Sequence, residues 1–241
     1  MLHQTRGIAL HATKFSETSS VVRIYTELFG LQSYLVKGIR KQHARIRQGF
    51  FQPLTLLDLV VYHKEKHSLQ TLKEVQYLFP YQSIPFDIRK SSLALFINEL
   101  IYKTIHEEEP HPELFAFLQG MCLHLDAAEG NLNDFHLVFA LQLTRYLGCM
   151  PRLNYSEKSP FLDLREGTFQ ENIPGHPDYL DASASHLVSE LLMIPENGSS
   201  SLQYSAKTRD LILEAILAYY QFHVPGFRKM QSHHVLHAVL G

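Results

Sequence analysis

The stretch TRGIALHATKFSETSSVVRIYTELFGLQSYLVKGIRKQHARIRQ, residues 5–48, decides the fold of this chain. Residues 7–14 alternate apolar and polar side chains, the period of a strand with one buried face. Small polar residues at 16–20 supply a turn, and 21–28 follow as a β-branched and aromatic run. Phe29-Gly30 turns the chain again, so that 31–36 return as a third strand. That strand runs into a cationic segment, 37–47, which carries Lys37, Arg40, Lys41, Arg45 and Arg47 and no acid. A groove that follows a phosphate backbone needs such a cluster, because each phosphate contact takes a cation that displaces condensed counterions. A solvated surface loop would have the same composition, and the segment alone leaves both readings open.

Working outward, residues 54–61 read as a fourth strand, 63–68 as a break and 69–78 as a fifth strand. Five short antiparallel strands in this span predict a small Greek-key β-barrel of the oligonucleotide-binding kind, an OB-fold, over residues 1–80. A five-stranded barrel with another role fits the same pattern. Phe50, Phe51 and Tyr34, like Tyr25 and Tyr62, would serve either as platforms on which bases stack or as barrel core.

The texture changes at Pro80 and Pro85. From Asp87, a candidate N-cap, the spacing becomes helical to Ile105. Further helices are predicted at 112–128, 134–147, 183–194, 205–223 and 232–240, with Gly148 placed as a left-handed stop. An irregular insert, 151–182, interrupts them, and within it 161–164 and 168–170 pair as a hairpin. The fold class is therefore α+β, a barrel followed by a mainly α-helical domain over 81–241.

Charge divides along the same line. The net charge of the 241 residues is −2, yet residues 1–80 carry +6 and residues 81–241 carry −8. A basic front and an acidic back suggest a polyanion-binding module joined to a protein-binding one. Cys122 and Cys149 cannot build a disulfide framework and read as reduced, buried thiols. No apolar run approaches the roughly 20 residues a bilayer requires, and no signal peptide is visible, so no membrane association and a cytoplasmic location are expected.

Catalytic motifs are missing. There is no G-x-x-x-x-G-K-[ST], no G-x-G-x-x-G and no G-x-S-x-G after a strand, which removes most of the case for a motor, a dinucleotide enzyme or a hydrolase. No cofactor is expected. The fifteen histidines include His233 and His237, four apart, with His223 and His234 nearby. Two imidazoles at that spacing share a helix face, but no carboxylate or thiolate accompanies them at ligand spacing, and no metal is expected. Asp163 and Glu166 are unremarkable acids on a turn-rich insert.

The motif G-I-A-L-H-A-T-K-F-S-E-T-S-S-V-V-R-I-Y-T-E-L-F-G, followed by L-V-K-G-I-R-K, resembles the bacterial RecO family of recombination mediators. F-Q-P-L-T-L-L at 51–57, I-N-E-L at 97–100, R-Y-L-G at 145–148 and H-V-P-G-F-R-K-M-Q-S at 223–232 continue the resemblance along nearly the whole chain. It implies an N-terminal OB-fold, a helical C-terminal domain and a DNA repair protein of the RecF pathway, associated with the nucleoid. Such a protein binds single- and double-stranded DNA, anneals complementary strands and works with RecR to load RecA onto DNA coated by single-strand-binding protein. It also implies a pocket for the acidic tail of that protein. Within the family motif the basic residues are Lys37, Arg40 and Lys41, while Arg45 and Arg47 join them by charge alone. Lys103, Arg145, Arg228 and Lys229 are candidates for the tail by charge only. Many members carry a four-cysteine zinc module in the insert, and here that insert has no cysteine, so hydrogen bonds and packing must hold it.

Three classes of function remain distinguishable. A DNA mediator binds DNA with a steep salt dependence. A protein-interaction scaffold whose barrel takes an acidic partner tail does not. A metalloenzyme centred on His233 and His237 contains bound metal.

Overall fold

Five strands close on themselves, with positions that alternate in burial in part of each and runs covered on both faces, such as residues 7–10 and 24–26. The structure is a computed structural model and describes residues 1–39, 46–64, 67–196, 198, 200 and 202–240. The strands are β1 (Leu2–Lys14), β2 (Ser20–Thr26), β3 (Gly30–Val36), β4 (Leu56–Tyr62) and β5 (Leu69–Tyr77). Their order is β1-β2-β3-β5-β4, and β4 pairs back onto β1 from Leu2↔Tyr62 to Ile8↔Leu56. This is the OB-like barrel that residues 5–48 predict, with one correction. The strands are not all antiparallel: β3 and β5 pair in parallel, Ser33↔Leu69 to Leu35↔Thr71. A closed ring with an odd number of strands cannot alternate direction at every seam.

The inward residues fill the barrel. Val22, Ile24, Val36, Leu57, Leu59 and Val61 are each 0 % exposed and form one cluster. Burying such a side chain stabilises the fold by about 1.5–3 kcal/mol. Between β3 and β4 a 3-10 turn, Gln48–Phe51, lies against β1, where a bulge between Ala9 and His11 frees the Ala9 backbone to bond Leu54 N and Thr55 O.

Six helices follow among the described residues: α1 (Ile88–Thr104), α2 (Pro112–Ala127), α3 (Phe135–Tyr146), α4 (Ala182–Leu192), α5 (Ala206–His223) and α6 (His233–Leu240). Their starts follow capping chemistry. Asp87 accepts from Arg89 N at 2.8 Å, Asp181 from Ala184 N and Ser205 from Thr208 N. Gly148 takes φ +72°, the left-handed stop its position after α3 demands. Contacts group the chain into two units. One joins Met1–Phe86 to Ile101–Ala127, so the barrel carries α2, and the other joins Asp87–Leu100 to Ala128–Gly241. In the second unit α3 is buried at every position from Phe135 to Thr144, the pattern of a helix enclosed on all sides.

The insert is a three-stranded sheet in the order β7-β6-β8, where β6 is Phe161–Asp163, β7 Thr168–Gln170 and β8 Tyr179–Leu180. The predicted hairpin is present as β6 and β7, with Leu164 in the connection rather than the strand. Strand β8, only two residues long, escapes periodicity. Asp163, 3 % exposed, organises the sheet. Its Oδ1 accepts from Arg165 N and Glu166 N, and its Oδ2 from Gln170 Nε2 at 2.9 Å and lies 3.2 Å from His176 Nε2. Asn154 pairs by its side chain with both backbone groups of Phe169, and Arg165 bonds Asp178. A carboxylate and an amide thus hold the strands of the insert together.

Candidate nucleic-acid interface

Strand directions place the ends of β1 and β3, the start of β4 and the end of β5 at one end of the barrel. The cationic segment leaves the barrel there. Ile39, 4 % exposed, belongs to the barrel core, and Ile46 is half-buried against the same cluster. Both flanks of the segment are therefore pinned by apolar anchors, and the polar residues beside them face out. Lys37 is exposed directly after β3, and Arg47 is exposed directly before the 3-10 turn. Arg40, Lys41 and Arg45 lie outside the described residues.

The three aromatic candidates separate. Tyr34 is 0 % and Phe51 5 % exposed; both are barrel core and present no face to a base, a correction to their candidacy as stacking platforms. The physical reason is register: Tyr34 is itself an inward position of β3, in step with Gln32 and Val36, and the turn at 48–51 rotates Phe51 inward. Phe50 is half-buried, tilted against Tyr77 with ring centroids 4.5 Å apart. Two residues at this end were not singled out from sequence. Phe15, in the β1–β2 turn, is 62 % exposed, and Lys14 is exposed in the register Lys14↔Ser20↔Val36, one position before Lys37. Their signals, an aromatic in a polar turn and a cation at a strand end, become readable only when strand pairing is known. Farther along the outer face, His11 pairs with Arg23, whose guanidinium lies 5.2 Å from the Tyr102 ring.

The remaining candidates are scattered. Lys103 stands in the last turn of α1, within the barrel unit. Arg145 is exposed in the last turn of α3, and Arg228 and Lys229 are exposed between α5 and α6, in the other unit. Two of the three histidines of α6 face acids: His237 Nδ1 lies 3.0 Å from Asp210 Oδ2, and His233 Nε2 4.0 Å from Glu214 Oε1. Among the described residues no three His, Cys, Asp or Glu side chains are grouped to hold a metal ion. No described helix is long and apolar enough to cross a membrane.

Buried titratable groups elsewhere serve structure. Burial pushes the Cys122 thiol up to about 12, while Cys149 is only half-buried. Burial in the helical unit pushes the His136 imidazole down to about 4. Burial alone would raise the Asp126 carboxyl, but the backbone N–H groups of Gln82, Ile84 and Ser83, each at 2.9 Å, hold it below the usual carboxylate range.

Comparison with known proteins agrees with this architecture. A family model described as recombination protein O, N-terminal, matches residues 1–81, and its C-terminal counterpart matches residues 85–232. The chain is similar to the DNA repair protein RecO of Bacteroides fragilis, 35 % identical over 237 residues and 98 % of each chain. It is similar also to that of Azobacteroides pseudotrichonymphae, 32 % identical over 239 residues and 99 % of each chain, and to that of Flavobacterium psychrophilum, 33 % identical over 240 residues and 98 % of each chain. With both halves matched in order and relatives of 32–35 % identity aligned over nearly the whole chain, this chain belongs to the RecO family of DNA repair proteins.

Proposed function

We propose that this protein is a non-enzymatic recombination mediator of the cytoplasm. It binds single- and double-stranded DNA at the cationic end of its barrel and anneals complementary strands. With RecR, it helps load RecA onto DNA coated by single-strand-binding protein, whose acidic tail its helical domain takes. The observation that supports this reading best is the cationic segment itself. Its flanks are fixed in the barrel core by Ile39 and Ile46, its outer residues Lys37 and Arg47 face solvent, and no acid interrupts residues 37–47.

The mechanism is electrostatic. Cations anchored to a rigid barrel hold a phosphate backbone and release its counterions, and the bases stay free to pair. Neutralising one strand lowers its repulsion from a second, which speeds annealing without a nucleotide fuel. Phe15 and Phe50 supply aromatic surface beside the cations, where stacking contributes on the order of 1–3 kcal/mol per base.

The test is fluorescence anisotropy of a labelled single-stranded oligonucleotide over a range of salt concentrations. The wild type binds with a steep salt slope, and Arg40→Glu with Lys41→Glu weakens binding for every sequence and flattens that slope. Each lost single-strand phosphate contact lowers the slope by about 0.7. Unchanged affinity in the variant removes the segment from the interface, and a wild type that fails to bind at low salt leaves a protein-interaction role for the barrel.

A further inference from the structure

The opposite end of the barrel is built from the start of β1, the β2–β3 turn and the end of β4. It holds a cleft of about 700 Å³ whose lining includes His3, Phe29, His63, Lys64 and His67, with Glu108 as the one carboxylate among the described residues. That size falls within the range of small-ligand sites, roughly 300–1,000 Å³. Its parts are fixed in place. The Phe29 and His63 rings stack with centroids 3.9 Å apart and planes 10° from parallel, and His3 stands edge-on to Phe29 at 5.2 Å. Gln70, 3 % exposed, spends its whole side-chain amide on the neighbouring chain. It accepts from Lys64 N at 2.9 Å and donates to Lys64 O at 2.9 Å and His67 O at 2.5 Å. A buried amide that bonds both residues holds Lys64 and His67 at the cleft before any ligand arrives, which lowers the ordering cost of binding.

The chemistry of this lining is one-sided. Among the described residues of the lining, an ammonium and three imidazoles, which donate N–H in either charge state, face a single carboxylate. Beside these donors lies a flat aromatic pair. We infer that this cleft is a nucleotide site, in which Lys64 and His67 hold a terminal phosphate and the stacked Phe29–His63 pair supports the base. The ligand is a 5′-phosphorylated nucleotide, either free or at the end of a DNA strand. The site stands apart from the cationic segment and does not depend on the DNA contact proposed there.

Isothermal titration of the full chain with deoxyadenosine monophosphate tests it. Saturable binding is expected, at least tenfold tighter than for deoxyadenosine, which lacks the phosphate. Lys64→Gln with His67→Gln, both exposed and outside the core, weakens it at least tenfold, while Arg40→Glu with Lys41→Glu leaves it unchanged. Absence of binding, or equal binding by the Lys64/His67 variant or by deoxyadenosine, overturns the assignment. Competition then identifies the source. Displacement by a 5′-phosphorylated oligonucleotide but not by its 5′-hydroxyl twin supports the site with a DNA end as ligand. Displacement by neither supports it with the free nucleotide as ligand. Equal displacement by both overturns it, because internal phosphates would then suffice.

Discussion

At the cationic end of the barrel, the chain leaving β5 presents backbone donors, the N–H groups of Gln82, Ser83 and Ile84, and all three are gathered by the carboxylate of Asp126 at the end of α2. At the imidazole end the relation is reversed. Leu31 donates to the carbonyl of Glu107, and Gly30, at φ +62°, rests against the carbonyls of Glu107 and Glu109. One end is fastened by an anion that collects donors, the other by a glycine that lets two backbones touch. Their exposed charges differ too: Lys37 and Arg47 at the first, imidazoles and Lys64 at the second. A donor-rich junction needs a specific side chain, whereas a junction of backbones needs the absence of one.

The comparison breaks most severely at Asp126. Asp126→Ala strands three backbone N–H groups and is expected to cost about 4 kcal/mol in urea denaturation. Because the folded carboxyl sits below its ordinary value, the advantage of wild type over Asp126→Asn is full above about pH 4 and disappears as pH falls through the lowered folded value. A difference between these two proteins that does not shrink as pH falls below about 4 would remove the charge from the account.

His136 sharpens the contrast by placing an acid-sensitive group in the other unit. Its folded value, about 4, lies below that of a free imidazole, so the unfolded chain takes the proton first. Stability is full above about pH 6.5 and drains toward pH 4, at up to about 1.4 kcal/mol per pH unit, or about 3 kcal/mol in all. In His136→Leu this slope disappears from the stability profile. An identical slope in the variant would locate the effect elsewhere.

Gly30→Ala tests the imidazole end. A Cβ there would sit 2.3 Å from Glu109 O, at a backbone angle that L residues avoid, and a loss of about 2 kcal/mol is expected. The salt slope of DNA binding in the folded variant stays that of wild type, since the cations lie at the other end. The smallest effect belongs to Lys37→Gln with Arg47→Gln. Affinity for single-stranded DNA falls about fivefold in anisotropy, and the salt slope becomes shallower by about 1.4.

The sequence by itself determined the barrel strands and the α-helices of this protein. Alternating, β-branched and aromatic runs between turn residues over 7–36 mark the strands, and capping residues such as Asp87 and Ser205 start their helices, because both signals act within a few residues of chain. It determined the cationic segment as well, since charge is a property of composition. It did not determine which aromatics are free. Phe50 and Phe51 are adjacent and alike, and only the 3-10 turn between β3 and β4 sends one into the core and leaves the other half-exposed. Nor did it determine the parallel β3–β5 seam, the grip of Asp126 on residues 82–84, or the meeting of His3, Phe29 and His63. Each joins positions dozens of residues apart. Local periodicity has no term for such pairs; closure of the five-stranded ring brings them together.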